Sequence, residues 1–178
     1  MAEAAAAKGA PIPSATKSQS PPTAISCLLV DHANARTLQE IFERVMKAKE
    51  DEHVEKLAHT MAIHCRMHNQ VLSEVVLPLV QNLKKGKALG KAMQEKLTEI
   101  EGLLAKLDKT KKHLGNAEFV QAMGKKKQAE IELMTMAEND IIPAMLEELE
   151  MDDMVQAAEQ MEAVKVKAPL QPQVKAAA

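Results

Sequence analysis

The chain has 178 residues, 46% hydrophobic and 27% charged, with a formal net charge of −2. That is enough for one domain with a true core plus tails, and the near-neutral balance argues against a nucleic-acid binder or a polyanion. With no Trp, no Tyr and only Phe42 and Phe119, base stacking is nearly excluded and the core must be built from Leu, Ile, Val, Ala and Met.

Residues 1–23 are rich in Ala, Ser and Pro, with Pro11, Pro13, Pro21 and Pro22 among them, and read as a flexible tail. The opening "MAEAAAAKGAPIPS" lacks the hydrophobic h-region of a secretory signal. An organelle transit peptide stays open, with the early Glu3 and the absence of Arg before Arg36 arguing against it. From about Thr23 to Glu150 the apolar residues recur with helical period. The first predicted helix runs from about Ala24 to Lys49. "KEDEH" breaks it, and a second helix follows with Asp51 as N-cap and reaches about Leu83. "KKGKALG" reads as a loop, and the third helix spans about Lys91 to Lys112. Gly115 is the expected C-terminal stop and Asn116 the next N-cap, with a fourth helix from about Ala117 to Glu150.

Residues 151–178 read as a short helix, "MDDMVQAAEQMEAV", that folds back or frays, and then a second flexible tail carrying Pro169 and Pro172. Short links between long helices make sequential neighbours antiparallel. The expected fold is therefore all-α, an up-down-up-down four-helix bundle over residues 24–150. A weak internal repeat fits this. "EVVLPLVQNL" (Glu74 to Leu83) and "NDIIPAMLEEL" (Asn139 to Leu149) each set aliphatics before a proline, so the second and fourth helices should bend or end alike. The basic runs "KKGK" (Lys84 to Lys87) and "GKKKQ" (Gly124 to Gln128) read as solvated helix ends or faces.

With His68 at the centre of the second helix's wheel, Leu57, Met61, His64, Leu72, Val75 and Leu79 all lie within about 40° of it, and Cys65 about 60° to the other side. The first helix has an inward stripe of Ile25, Leu28, Leu29, His32, Ala35, Leu38, Phe42 and Val45. His32 and His68 thus fall on apolar faces, where an imidazole needs a hydrogen-bond partner or a metal. His53, His59 and His113 fall on polar stretches and should be exposed.

"LLVDHANARTL" (Leu28 to Leu38), an inward His ten residues before the proline of "VVLP", and a fourth helix closing in "DIIP" resemble hemerythrin-like (HHE cation-binding) domains. The likeness covers roughly Ala24 to Leu149. It implies an antiparallel four-helix bundle and, in the family's usual form, two irons bridged by carboxylates and capped by histidines. His32 and His68 match two of the family's histidine positions, and Glu138 stands one residue past a third ligand position. The bridging Glu of the second helix is replaced by Leu72, the third-helix His by Leu97, the fourth-helix His by Leu133 and its Glu by Ala137. Leucine cannot offset the repulsion between two close cations, so an intact di-iron centre is not expected.

Two readings follow from the survivors. In the first, the chain is a non-enzymatic hemerythrin-like protein that has lost its di-iron site, holds no cofactor and serves as a binding or structural component with a protein partner. In the second, His32, His68 and Glu138, with His64, Cys65 or Asp140 as auxiliaries, hold a single Fe or Zn ion in a metal-binding or iron- or redox-sensing protein. Neither reading needs nucleic acid or a membrane span, since no apolar run approaches the roughly 20 residues a bilayer demands. Cys27 and Cys65 form no disulfide framework, which points to the cytoplasm or another reducing compartment. The Met-rich stretch from Met134 to Met161 either meets the partner or packs in cis.

Overall fold

A computed structural model describes residues 20–168. The predicted tails fall mostly on residues 1–19 and 169–178, outside the described residues. The described chain is all-helical. Helix α1 (Ala24–Ala48) starts on a reciprocal cap in which the Thr23 hydroxyl accepts from the Ser26 amide at 3.2 Å and the Thr23 amide donates to Ser26 Oγ at 2.9 Å. It ends at Lys49, whose φ of 58° turns the chain through the left-handed region while its N–H satisfies the last carbonyls.

Helix α2 (Asp51–Val71) begins one residue before the predicted first turn, with Glu50 at the cap. The Asp51 carboxylate accepts instead from the backbone N–H of Leu114 at 2.8 Å, tying this corner to the loop before α5. A wider, π-helical turn (Leu72–Val76) leads into α3 (Leu77–Asn82). The same pattern recurs where α5 (Ala117–Met136) passes through Ala137–Ile141 into α6 (Ile142–Glu148). Pro78 and Pro143 explain both. A proline has no N–H and its ring collides with the carbonyl four residues back, here Glu74 and Asn139. Widening the turn moves that carbonyl aside, and the Leu77 and Ile142 amides bond five residues back, to Leu72 and Ala137. The repeat seen in the sequence is thus a structural one.

Helix α4 (Gly86–Lys109) starts about five residues before the predicted boundary and ends at Thr110, so Gly115 does not stop it. The link from α3 is only Leu83–Lys85, held by Glu148, which accepts from the Lys84 amide at 2.9 Å. So tight a corner brings backbone against backbone: a Cβ on Gly86 would lie 1.7 Å from the Val80 carbonyl oxygen. Gly86→Ala should therefore displace the corner and cost about 2 kcal/mol or more. A urea midpoint within error of the parent would refute that.

Helix α7 (Met151–Lys167) is longer than the predicted short helix and does not fray. It packs on α1 and α2, turning Met154, Ala157, Ala158 and Met161 inward. Met134 and Met145 are buried as well, so most of the Met-rich stretch is used in cis, leaving Leu146 and Met151 as its large exposed apolar side chains. Helices α1 and α2 lie side by side, as do α3 and α4, and α4 and α5. One apolar cluster, containing Leu28, Leu72, Leu97, Leu104, Leu133 and Met145, fills the proline-kinked end. A second forms around Phe42 and Phe119, whose rings meet edge to face at 6.5 Å.

Candidate functional site

On α1, positions 28, 31, 32, 39 and 42 are buried, because α2 covers one side of the helix and α7 another. Leu29 is 45% exposed, so the predicted inward stripe is rotated toward Asp31. On α2 the buried residues are Val54, Ala58, Met61, Ala62, Cys65, Asn69 and Val71, with His64 and His68 only partly covered. The buried arc is centred on the Cys65 side of the predicted one, roughly 60° round from His68. His53, His59 and His113 are exposed, as expected.

The structure brings His32, His68 and Glu138 together. His32 is 1% exposed, and its Nδ1–H donates to Glu138 Oε1 at 2.7 Å. Glu138 stands in the wider turn after α5, which carries its carboxylate round to α1. Arg36, one turn beyond His32, donates to both carboxylate oxygens at 2.8 Å. Burial pushes the Glu138 carboxyl up, but the hydrogen bonds from Arg36 and His32 outweigh it, and its pKa is held below the ordinary value. His68 Nδ1 faces Asp31 Oδ2 at 3.5 Å, the outer limit of a hydrogen bond. Lys165 of α7 closes on Asp31 Oδ1 at 2.9 Å. Burial raises the Asp31 pKa, while His68 and Lys165 lower it by more.

Burial and the neighbouring His68 push the His32 pKa down, so its ring is neutral at neutral pH. With the proton on Nδ1, the lone pair sits on Nε2. That Nε2 is buried and has no partner, and so is Nε2 of His68. The two rings stand edge to face with centroids 5.3 Å apart. Each imidazole is thus oriented by a carboxylate at one nitrogen and bare at the other, the arrangement by which proteins present histidine to a metal.

The remaining candidates divide. His64 and Cys65 lie beside His68 around a cavity of about 10 Å³ that Met134 and Glu130 also line. Burial, reinforced by Glu130, pushes the Cys65 thiol well above its ordinary pKa, so it is no nucleophile. Asp140 is exposed in a groove with Lys85 and Pro143 and does not reach the cluster. Leu72, Leu97, Leu133 and Ala137, the positions where the resemblance wants ligands, are all buried in the one apolar cluster. A bridged di-iron group does not fit these side chains, and among the described residues no three of His, Cys, Asp and Glu are grouped to hold a metal.

No family model, curated protein or solved structure matches this chain.

Two functional-looking groups escaped the sequence reading. Arg36 is the first, and its position one turn from His32 was the available signal. The second is a buried pair: Lys126, 1% exposed, reaches Glu130 at 2.6 Å, and Gln39 donates to the other Glu130 oxygen at 2.9 Å. "GKKKQ" is therefore not a wholly solvated run. Its middle lysine points into the core, and the i, i+4 spacing to Glu130 was the clue.

These groups set an expected pH response. His32 and His64 both have folded pKa values pushed below 6.5, chiefly by burial and then by His68. Below that pH the unfolded chain takes up protons that the folded chain refuses, so folding stability should fall as pH drops through about 6.5. A second loss follows below the ordinary carboxyl values of 3.8 and 4.5, as Asp31 and Glu138 become protonated and release their partners. Urea midpoints at pH 8, 7, 6 and 5 check the first stage; an unchanged midpoint across that range would contradict it.

Proposed function

We propose that this chain is a hemerythrin-like, antiparallel four-helix bundle, with α7 as a fifth helix laid against it, that has lost its di-iron position. It acts without catalysis, as a binding or structural component for another protein. One observation carries this reading: Leu72, Leu97, Leu133 and Ala137 are buried together in a single apolar cluster. Buried polar ligands left without their cations would each cost several kcal/mol, and packed aliphatics remove that cost. The acids at the position are both engaged, Glu138 by Arg36 and His32 and Asp31 by Lys165 and His68. No helix among the described residues is long and apolar enough to cross a membrane, which is compatible with a free or protein-bound component.

The test is metal analysis by mass spectrometry on protein purified without chelator, with samples reloaded with Fe(II) and Zn(II). The reading expects far less than one iron or zinc per chain under every loading. Two irons per chain would overturn it.

A second reading has its own support in the bare Nε2 atoms of His32 and His68. It makes the chain a mononuclear iron or zinc protein with those two nitrogens as ligands and Glu138 and Asp31 as their orienting carboxylates. It expects about one ion per chain, lost in both His32→Leu and His68→Leu.

A further inference from the structure

Sulfur and imidazole side chains line one small cavity bounded by α1, α2 and α5. Helical spacing puts His64 and His68 on one ridge of α2, with the Cys65 thiol beside them. Met134 of α5 brings a thioether to the same small cavity. Cys65 and Met134 are each 3% exposed. His68 faces Asp31 with Nδ1 at 3.5 Å, and its buried Nε2 has no partner. The cavity measures about 10 Å³, room for a single water-sized occupant.

The chemistry of the donors narrows what that occupant is. The nearby carboxylates are spoken for: Glu130 by Lys126, Gln39 and the Cys65 thiol, whose proton the metal would displace, and Asp31 by Lys165. Hard cations need about six oxygens, and the lining offers only the paired Glu130 carboxylate and the Asn69 amide. Thiolate, thioether and imidazole are the ligands that select copper(I). Charge points the same way. A monovalent ion on a thiolate is neutral overall, whereas a divalent ion on the same thiolate would leave a buried net positive charge, at a cost of several kcal/mol. The adjacent Lys126–Glu130 pair cancels itself and supplies no compensation.

We propose that the cavity bounded by α1, α2 and α5 is a site for one copper(I) ion, held by Cys65 Sγ, Met134 Sδ and a ring nitrogen of His68, with His64 flanking. Binding replaces the thiol proton: Cu⁺ and Cys65–SH give a Cu–S bond and a proton released to solvent, with no change of oxidation state. Copper(I) accepts low coordination numbers, so the site needs no triad of His, Cys, Asp and Glu. His32 and Glu138 take no part, so this site stands or falls apart from the loss of the di-iron position.

Anaerobic titration of the full chain with copper(I), in competition with the chromogenic chelator bicinchoninate, tests it. One copper(I) per chain is expected, with a matching proton release and a copper–sulfur signature in X-ray absorption. Cys65→Ser and Met134→Leu should each weaken binding, the former on the order of 100-fold, since even the outer partners of a metal ligand are worth 10–100-fold. Met134→Leu conserves volume, so it reports even where Cys65→Ser fails to fold. Cys27→Ser and His53→Asn should leave the affinity unchanged. No competition for copper(I), or binding that survives both Cys65→Ser and Met134→Leu, overturns the proposal.

Discussion

Lys126→Met is expected to cost about 3–5 kcal/mol of folding stability, the usual loss when one partner of a buried ion pair is removed. The substitution keeps the length and apolar stem of the side chain, so packing changes little. What changes is Glu130, only 8% exposed and left with the Gln39 amide and the weak Cys65 thiol as donors. A carboxylate stripped of its cation in such surroundings must either stay charged at high cost or take up a proton. A drop of on the order of 10 °C in the thermal midpoint follows for a chain of this size. The double variant Lys126→Met/Glu130→Met separates pair from packing. It should recover most of the loss, because well-packed apolar residues replace buried ion pairs without penalty in many proteins. The shortfall should be about 1–3 kcal/mol, the cost of the Gln39 amide left without an acceptor. Urea unfolding of both variants decides the matter. A loss under 1 kcal/mol in the single variant would mean that water reaches the pair.

The periodicity of the chain was enough to place the helical segments from α1 to α6, because each carries an apolar arc sustained over several turns. The cap at Asn116 was equally legible, since an oxygen-bearing side chain before an apolar run has few other uses, whereas the cap expected at Asp51 falls one residue earlier, at Glu50. The start of α4 was not. Gly86 and Gly90 look like loop residues in isolation, and only the approach of α3 shows that they permit close packing. The phase of α1 and α2 was also missed. A helical wheel finds the apolar arc, but the buried arc depends on every neighbour, and α7 covers Asp31 and sets it against His68 and Lys165. Lys126 was hidden for a related reason: charge favours exposure on average, and only Glu130 and Gln39 from two different helices make its burial tolerable. Glu138 fell one residue out of register in the comparison with the expected ligand pattern. The wider turn before Pro143 is what lets it reach His32, and the proline was the visible sign of that turn.

Leu72→Glu is expected to cost at least about 3 kcal/mol, as an unpaired acid placed in the apolar core. Leu72 is 1% exposed and packs within the cluster that holds Leu97, Leu133 and Ala137. The introduced carboxyl has no donor among those neighbours, so burial would raise its pKa in the folded chain. The sign of the pH effect follows: the folded form holds the proton and the unfolded form releases it, so the deficit should widen as pH rises from 5 to 8. That trend is opposite to the response set by His32 and His64, which makes the variant readable against its parent. Ferrous or zinc ions should not rescue it, because Leu97, Leu133 and Ala137 offer no further ligand. A real cation position would behave otherwise. Ion at a hundred times its dissociation constant would return about 2.7 kcal/mol to the folded state. Rescue of that size in Leu72→Glu would show that one acid suffices to reopen the position; its absence would mean that the aliphatic replacements have closed it together.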